Sequence, residues 1–220
     1  MTNPIATAMP RRAVALGIGA LWMAALLPQA ARADVAADPA AVAPIERLNA
    51  GLLAVMKAGT QTPFDRRFAT LAPAIDGAFD LDAVLAASVG LKWQSMPENQ
   101  RSVLRDAFRR YTISSYLANF DSYSGQSFRV SPSVRSVGKG EVVVSSTLNR
   151  ADGSTLKLDY VMRNGPAGWR VVDVLLDGSI SRVAVQRSDF RYLLKNGGVP
   201  ALTESLTHKV ASLSGGMQTS

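Results

Sequence analysis

A single change of period constrains this chain more than any other feature. Up to Tyr123-Ser124-Gly125 the apolar residues recur every three or four positions, and from Ser127 they alternate. Four consecutive segments, Ser127–Val137, Glu141–Arg150, Leu156–Arg163 and Trp169–Leu176, are rich in β-branched residues. They are separated only by Gly138-Lys139-Gly140, Ala151-Asp152-Gly153 and Asn164-Gly165-Pro166-Ala167-Gly168. Gaps this short turn hairpins and leave no room for crossover helices, so the strands form an antiparallel meander. The uniform strand faces are Val142/Val144, Leu156/Leu158/Tyr160/Met162 and Val172/Val174/Leu176.

Helical patterns flank the meander. Ile45, Leu48, Leu52, Val55 and Met56 keep helical spacing up to Gly59; Pro63 opens a second pattern through Phe64, Phe68, Leu71 and Ile75, closed by Gly77. Asp80 is placed to cap Leu81–Val89, which ends at Gly90. Ser95 and Glu98, three residues apart around Pro97, read as a capping box for a long helix striped by Val103, Leu104, Phe108, Tyr111, Leu117 and Phe120. Arg101, Arg105 and Arg109 form a basic ridge on another face of it. Patterns over Ile180–Lys195 and Pro200–Leu213 close the chain, divided by Asn196-Gly197-Gly198. Helices, strands, then helices around one sheet give an α+β domain: a curved antiparallel sheet of about four strands packed on several helices, as in small cone-shaped folds.

The first 33 residues hold no acidic residue. Arg11-Arg12 precede an uncharged run from Ala13 to Leu27, then Pro28 and Ala31-Arg32-Ala33, the pattern of a signal peptide cleaved after Ala33. A run that short falls below the ~20 residues of a membrane-spanning helix. An uncleaved anchor remains the alternative, and the paired arginines leave open whether export is general or twin-arginine. The expected organisation is a signal peptide (1–33), a flexible leader (34–44), one domain (45–214) and a short tail (215–220). Loss of Arg11, Arg12 and Arg32 reduces the net charge from +7 to +4.

The chain has no cysteine and one histidine, His208. Disulfides, thiolate nucleophiles and zinc fingers are therefore excluded, and multi-histidine metal centres with them. Nucleotide-binding loops, hydrolase elbows and zinc-protease motifs are missing from the sequence, so no cofactor or metal is expected. Nucleic-acid binding fits poorly with a modest charge and with aromatics committed to apolar stripes. Asp173 and Asp177 are the best carboxylate pair for catalysis, sharing a strand face with Trp169, Val171 and Leu175. Their plainer roles are satisfying local backbone or an arginine (Asp173) and capping the next helix, with Ser179 nearby (Asp177).

Two stretches carry a resemblance. Phe79-Asp80-Leu81-Asp82, Gly90-Leu91-Lys92-Trp93, Gln100-Arg101, Phe108, Tyr116 and Tyr123-Ser124-Gly125 are similar to the middle of the MlaC, or toluene-tolerance, family. Gly168-Trp169-Arg170-Val171-Val172-Asp173-Val174, Asp177-Gly178-Ser179-Ile180-Ser181 and Gln186-Arg187-Ser188-Asp189-Phe190 resemble that family's most specific signature. Phe120-Asp121-Ser122-Tyr123-Ser124-Gly125 and the stretch Arg187 to Phe190 also resemble its hopanoid-associated HpnM branch.

The resemblance implies a monomeric, non-enzymatic lipid carrier of the periplasm, with phospholipid or hopanoid chains held in an apolar cavity. Its implied partners are an inner-membrane ABC transporter with a ring-forming substrate-binding subunit and an outer-membrane lipoprotein–porin complex. The expected cavity lining is Phe68, Trp93, Phe108, Tyr111, Leu117, Val142, Val144, Leu156, Leu158, Tyr160, Met162, Val172, Val174 and Leu176. Arg101, Arg105, Arg109 and Arg187 are the expected headgroup or partner contacts. Two other classes remain open: an isomerase-like enzyme using Asp173 as base, and an envelope adaptor with a solidly packed interior.

Overall fold

The computed structural model describes residues 34, 35 and 38–215; the expected signal peptide and all of the expected tail but Gly215 lie outside the described residues. The elements in chain order are β1 (Asp34–Val35), α1 (Pro39–Ala58), α2 (Phe64–Ala78), α3 (Leu81–Val89), α4 (Lys92–Ser95), α5 (Glu98–Asn119), β2 (Ser127–Gly138), β3 (Glu141–Asn149), β4 (Thr155–Gly165), β5 (Gly168–Leu176), β6 (Ile180–Ser181), α6 (Arg182–Asn196) and α7 (Gly198–Leu213). All six strands form one antiparallel sheet in sequential order, the expected meander with a two-residue strand at each edge. Among the described residues no helix is long and apolar enough to cross a membrane.

Local chemistry explains most boundaries and corrects several expectations. The segment read as a flexible leader is ordered from residue 38. Asp38 Oδ1 accepts from Ala40 N at 2.9 Å, Pro39 opens α1, and Trp169 Nε1 on β5 donates to Asp38 Oδ2 at 2.9 Å. Asp80 caps α3 as expected, accepting from Ala83 N at 2.9 Å. The capping box at Ser95 does not form. Ser95 ends the short α4 and turns its hydroxyl back to Lys92 O, leaving α5 to start after Pro97 with no side-chain cap.

Asp177 does not cap α6 either. Asp177 and Gly178 both take positive φ (49° and 74°), the left-handed geometry that Asp-Gly tolerates in tight turns, and they fold Ile180–Ser181 back onto Leu176–Leu175 as β6. The residues Ile180 and Ser181, read as helical, are therefore strand, and α6 begins at Arg182.

The helices cover one face of the sheet. Val142, Val144 and Leu148 on β3, and Leu156, Leu158, Tyr160 and Met162 on β4, meet α1 and α5 in a continuous core. Asn49 of α1 reaches this face and donates to Ser146 Oγ at 3.0 Å. Gly51 lets α1 and α2 cross closely, since a Cβ there would stand 2.8 Å from that of Ala74.

Strict alternation fails on β5. Val161 pairs with Asp173 but Met162 pairs with Val171, so Val172 is an extra residue in a bulge. The core side chains of β5 are therefore Trp169, Val171, Val174 and Leu176, and Val172 is buried apart from the continuous core. This removes Val172 from the expected lining and also separates Asp173 from Trp169 and Val171.

Candidate functional site

A cavity of about 60 Å³ opens where α5, the α2–α3 corner, β5 and the start of α6 converge. Apolar side chains line it, Phe79, Leu81, Val84, Phe108, Val174 and Val183, together with polar ones, collectively the rim, Thr112, Ser115, Asp173, Arg182 and Gln186; the phenols Tyr111 and Tyr116 complete the lining. Aromatic contacts brace both sides. Phe108 meets Phe190 of α6 edge-on at 6.2 Å, and Phe79, Tyr116, Phe120 and Phe128 form a chain of rings at 5.7–6.0 Å from the α2–α3 corner to β2.

The rim is built by the β5–α6 connection. Ser181 is the N-cap of α6, its Oγ accepting from Ala184 N at 2.9 Å while donating to Asp173 Oδ2 at 2.5 Å. Asp173 Oδ1 accepts from Val174 N at 2.7 Å and from Val183 N at 3.1 Å. Both carboxylate oxygens are thus engaged in holding the first turn of α6, where the helix dipole favours a negative charge. That agrees with the plainer expectation of backbone satisfaction.

Arg182, the first residue of α6, is half-buried and forms no ion pair among the described residues. Its charge acts on Tyr116, but burial dominates and pushes that phenol above its ordinary range. Tyr160 is fully buried with no partner for its hydroxyl among the described residues, and desolvation raises its pKa as well.

Of the expected lining residues, Phe108, Tyr111 and Val174 border this cavity. Leu117, Val144, Leu158, Tyr160 and Met162 lie in the packed core, and Phe68, Val142, Leu156 and Leu176 are half-buried at the core's margin. Trp93 is elsewhere: it sits on α4 under the guanidinium groups of Arg101 and Arg105, 5.9 and 5.5 Å from its ring centre.

The basic ridge of α5 is largely compensated. Arg109 makes a two-pronged contact with Asp76 at 2.8 and 2.6 Å, and that pairing raises its pKa. Arg105 contacts Glu98 and Asp82, and Arg101 reaches Met96 O and Glu98. Arg187 donates to Ala87 O at 2.8 Å.

The residues sequence reasoning did not place at the site, Thr112, Ser115, Arg182 and Gln186, carried one usable signal. They are the polar positions beside the α5 stripe and at the start of α6. The sole histidine, His208, is exposed on a surface groove between α5 and α7. No group of three His, Asp or Glu side chains among the described residues is placed to hold a metal ion.

Two comparisons bear on this geometry. A solved phospholipid-binding protein from Ralstonia solanacearum, in complex with a phospholipid, shares the fold with a TM-score of 0.68 at 24% identity, over 79% of this chain and 98% of that one. The family model described as MlaC protein matches residues 46–208, from the second turn of α1 to His208 of α7, so that it takes in β2 to β6 and every element that borders the cavity. The chain belongs to the MlaC protein family.

Proposed function

We propose that this protein is a periplasmic lipid carrier that takes phospholipid, or a hopanoid-type lipid, between an inner-membrane ABC transporter and an outer-membrane complex. The observation that carries this reading is the amphipathic cavity, lined by apolar side chains and by polar ones that include Arg182, which forms no ion pair among the described residues. The apolar lining suits acyl chains once the cavity widens, and the polar lining suits an anionic headgroup. Membership in the MlaC family and a fold shared with a phospholipid-binding protein support it.

The cavity's 60 Å³ is well below the ~300 Å³ or more of a ligand pocket, so loading requires α6 to move off the core. The α6–α7 hairpin is anchored by Phe190, Leu194, Leu202 and Leu206. Exposing four such side chains costs roughly 6–12 kcal/mol. An acyl chain drawn from a bilayer is already out of water and gains little by the transfer itself, so opening is repaid only as the chain covers those same side chains.

The test is native mass spectrometry after incubation with phosphatidylethanolamine and phosphatidylglycerol vesicles. The purified chain should carry a phospholipid, and Val174→Phe, which fills the cavity with a larger apolar side chain, should lose it while melting normally. Absence of any lipid adduct on the unmodified protein overturns the carrier reading.

A further inference from the structure

A second hollow, about 750 Å³, runs along the outer side of α6 between that helix and the α3–α4 corner. Four cations line it, Lys92, Arg187, Arg191 and Lys195, and no carboxylate does. The contrast with α5 is direct: Arg101, Arg105 and Arg109 each meet an acidic side chain. Here Lys92 Nζ donates to Leu194 O at 3.1 Å and Arg187 Nε to Ala87 O at 2.8 Å. These bonds fix the two cations at the C-terminal ends of α6 and α3 and leave their charge unneutralised. Asp189, the one acidic residue of α6, falls nearly opposite Arg187 around the helix.

The apolar groups beside this row are exposed. Leu91 projects from the α3–α4 corner at 94% exposure and lines the same hollow. Tyr192, 70% exposed, lies one turn before Lys195 on a line of α6 that it shares with Val185 and Asp189. Basic side chains with a protruding leucine and a tyrosine are the composition that settles at a bilayer interface. The cations meet lipid phosphates, the ring sits at headgroup level and the leucine enters the acyl boundary.

We infer that the groove between α6 and the α3–α4 corner docks the protein on an anionic bilayer surface. Val183 and Gln186 of the same helix border the lipid cavity, so a bilayer held by Arg187 and Arg191 adjoins its mouth. That consequence rests on the carrier reading; the docking does not, and a protein that binds bilayers without extracting lipid would separate the two.

Vesicle flotation of the full chain tests it, comparing phosphatidylcholine vesicles with vesicles containing about 30% phosphatidylglycerol, at about 0.05 and 0.3 M salt. Binding should favour the anionic vesicles about tenfold or more and weaken with salt. Arg191 and Lys195 are exposed, so Arg191→Glu/Lys195→Glu should fold normally and lose about tenfold in binding. Leu91→Asp should also weaken it. The equal charge change Arg129→Glu/Lys139→Glu, on β2 and its turn, should stay within about twofold, since the effect is local on the scale of the screening length. Equal binding to both vesicle types, an equal loss in the control variant, or unchanged binding of Arg191→Glu/Lys195→Glu overturns the assignment; the last would leave the cation row to an acidic protein.

Discussion

Replacing Asp173 separates a carrier from an enzyme built on the same fold. Its carboxylate accepts from Val174 N, Val183 N and the Ser181 hydroxyl, and so fixes the start of α6 against β5. Asp173→Ala removes all three bonds and leaves Ser181, the N-cap, without its orienting partner. Hydrogen bonds to a charged group are worth about 1.5–3 kcal/mol each and a helix cap about 1 kcal/mol. Discounting for overlap and for a half-buried site gives roughly 2–4 kcal/mol, or a fall in Tm of roughly 5–15 °C. Asp173→Asn keeps an acceptor for the two backbone amides but loses the charge and the Ser181 bond, so its loss should be roughly 1–2 kcal/mol.

Urea and thermal denaturation followed by circular dichroism should therefore rank the wild type above Asn and Asn above Ala. A double-mutant cycle with Ser181→Ala should show about 1 kcal/mol or more of coupling. Both variants should still take up lipid. If Asp173→Asn proves as stable as the wild type or more so, the carboxylate is strained rather than structural, as expected of a catalytic base, and the reasoning fails. Zero coupling to Ser181 would refute the orienting role separately.

Two further outcomes follow from the buried phenols. Tyr160→Phe removes a buried hydroxyl that has no partner among the described residues and should stabilise the protein by about 1–2 kcal/mol in urea melts; a loss of stability would mean that the hydroxyl is satisfied. Tyr116 and Tyr160 both have raised pKa values in the folded state, so their contribution is complete below pH ~10 and is lost as pH rises above it. Stability should fall by up to about 2.7 kcal/mol per pH unit, with the phenolate absorbance of both rings appearing at unfolding rather than before it.

The order of elements and the meander were legible because period and turn chemistry are local properties. Asp80 before Leu81, and glycine pairs at hairpin ends, act on their immediate neighbours. What escaped the sequence depends on residues far apart. The segment 34–44 reads as a flexible leader, and only Trp169, 131 positions from Asp38, shows what holds its second half against β5. Val172 looks like an inward strand residue because alternation carries no mark of the extra residue that puts Val171 opposite Met162.

The site has the same character. Phe108, Tyr111 and Val174 could be nominated from apolar stripes, but stripes cannot distinguish a lining from a packed core, where Leu117, Val144, Leu158, Tyr160 and Met162 lie. Arg182 joins Tyr116 at the rim only because Asp177-Gly178 turns tightly enough to make Ser181, not Asp177, the cap of α6. That shift of four residues decides where the helix starts and which side chains face the opening. The polar rim is therefore a product of one turn, and its charge follows from what that turn leaves unpaired. Asp173 is used by the backbone, and Arg182 forms no ion pair among the described residues.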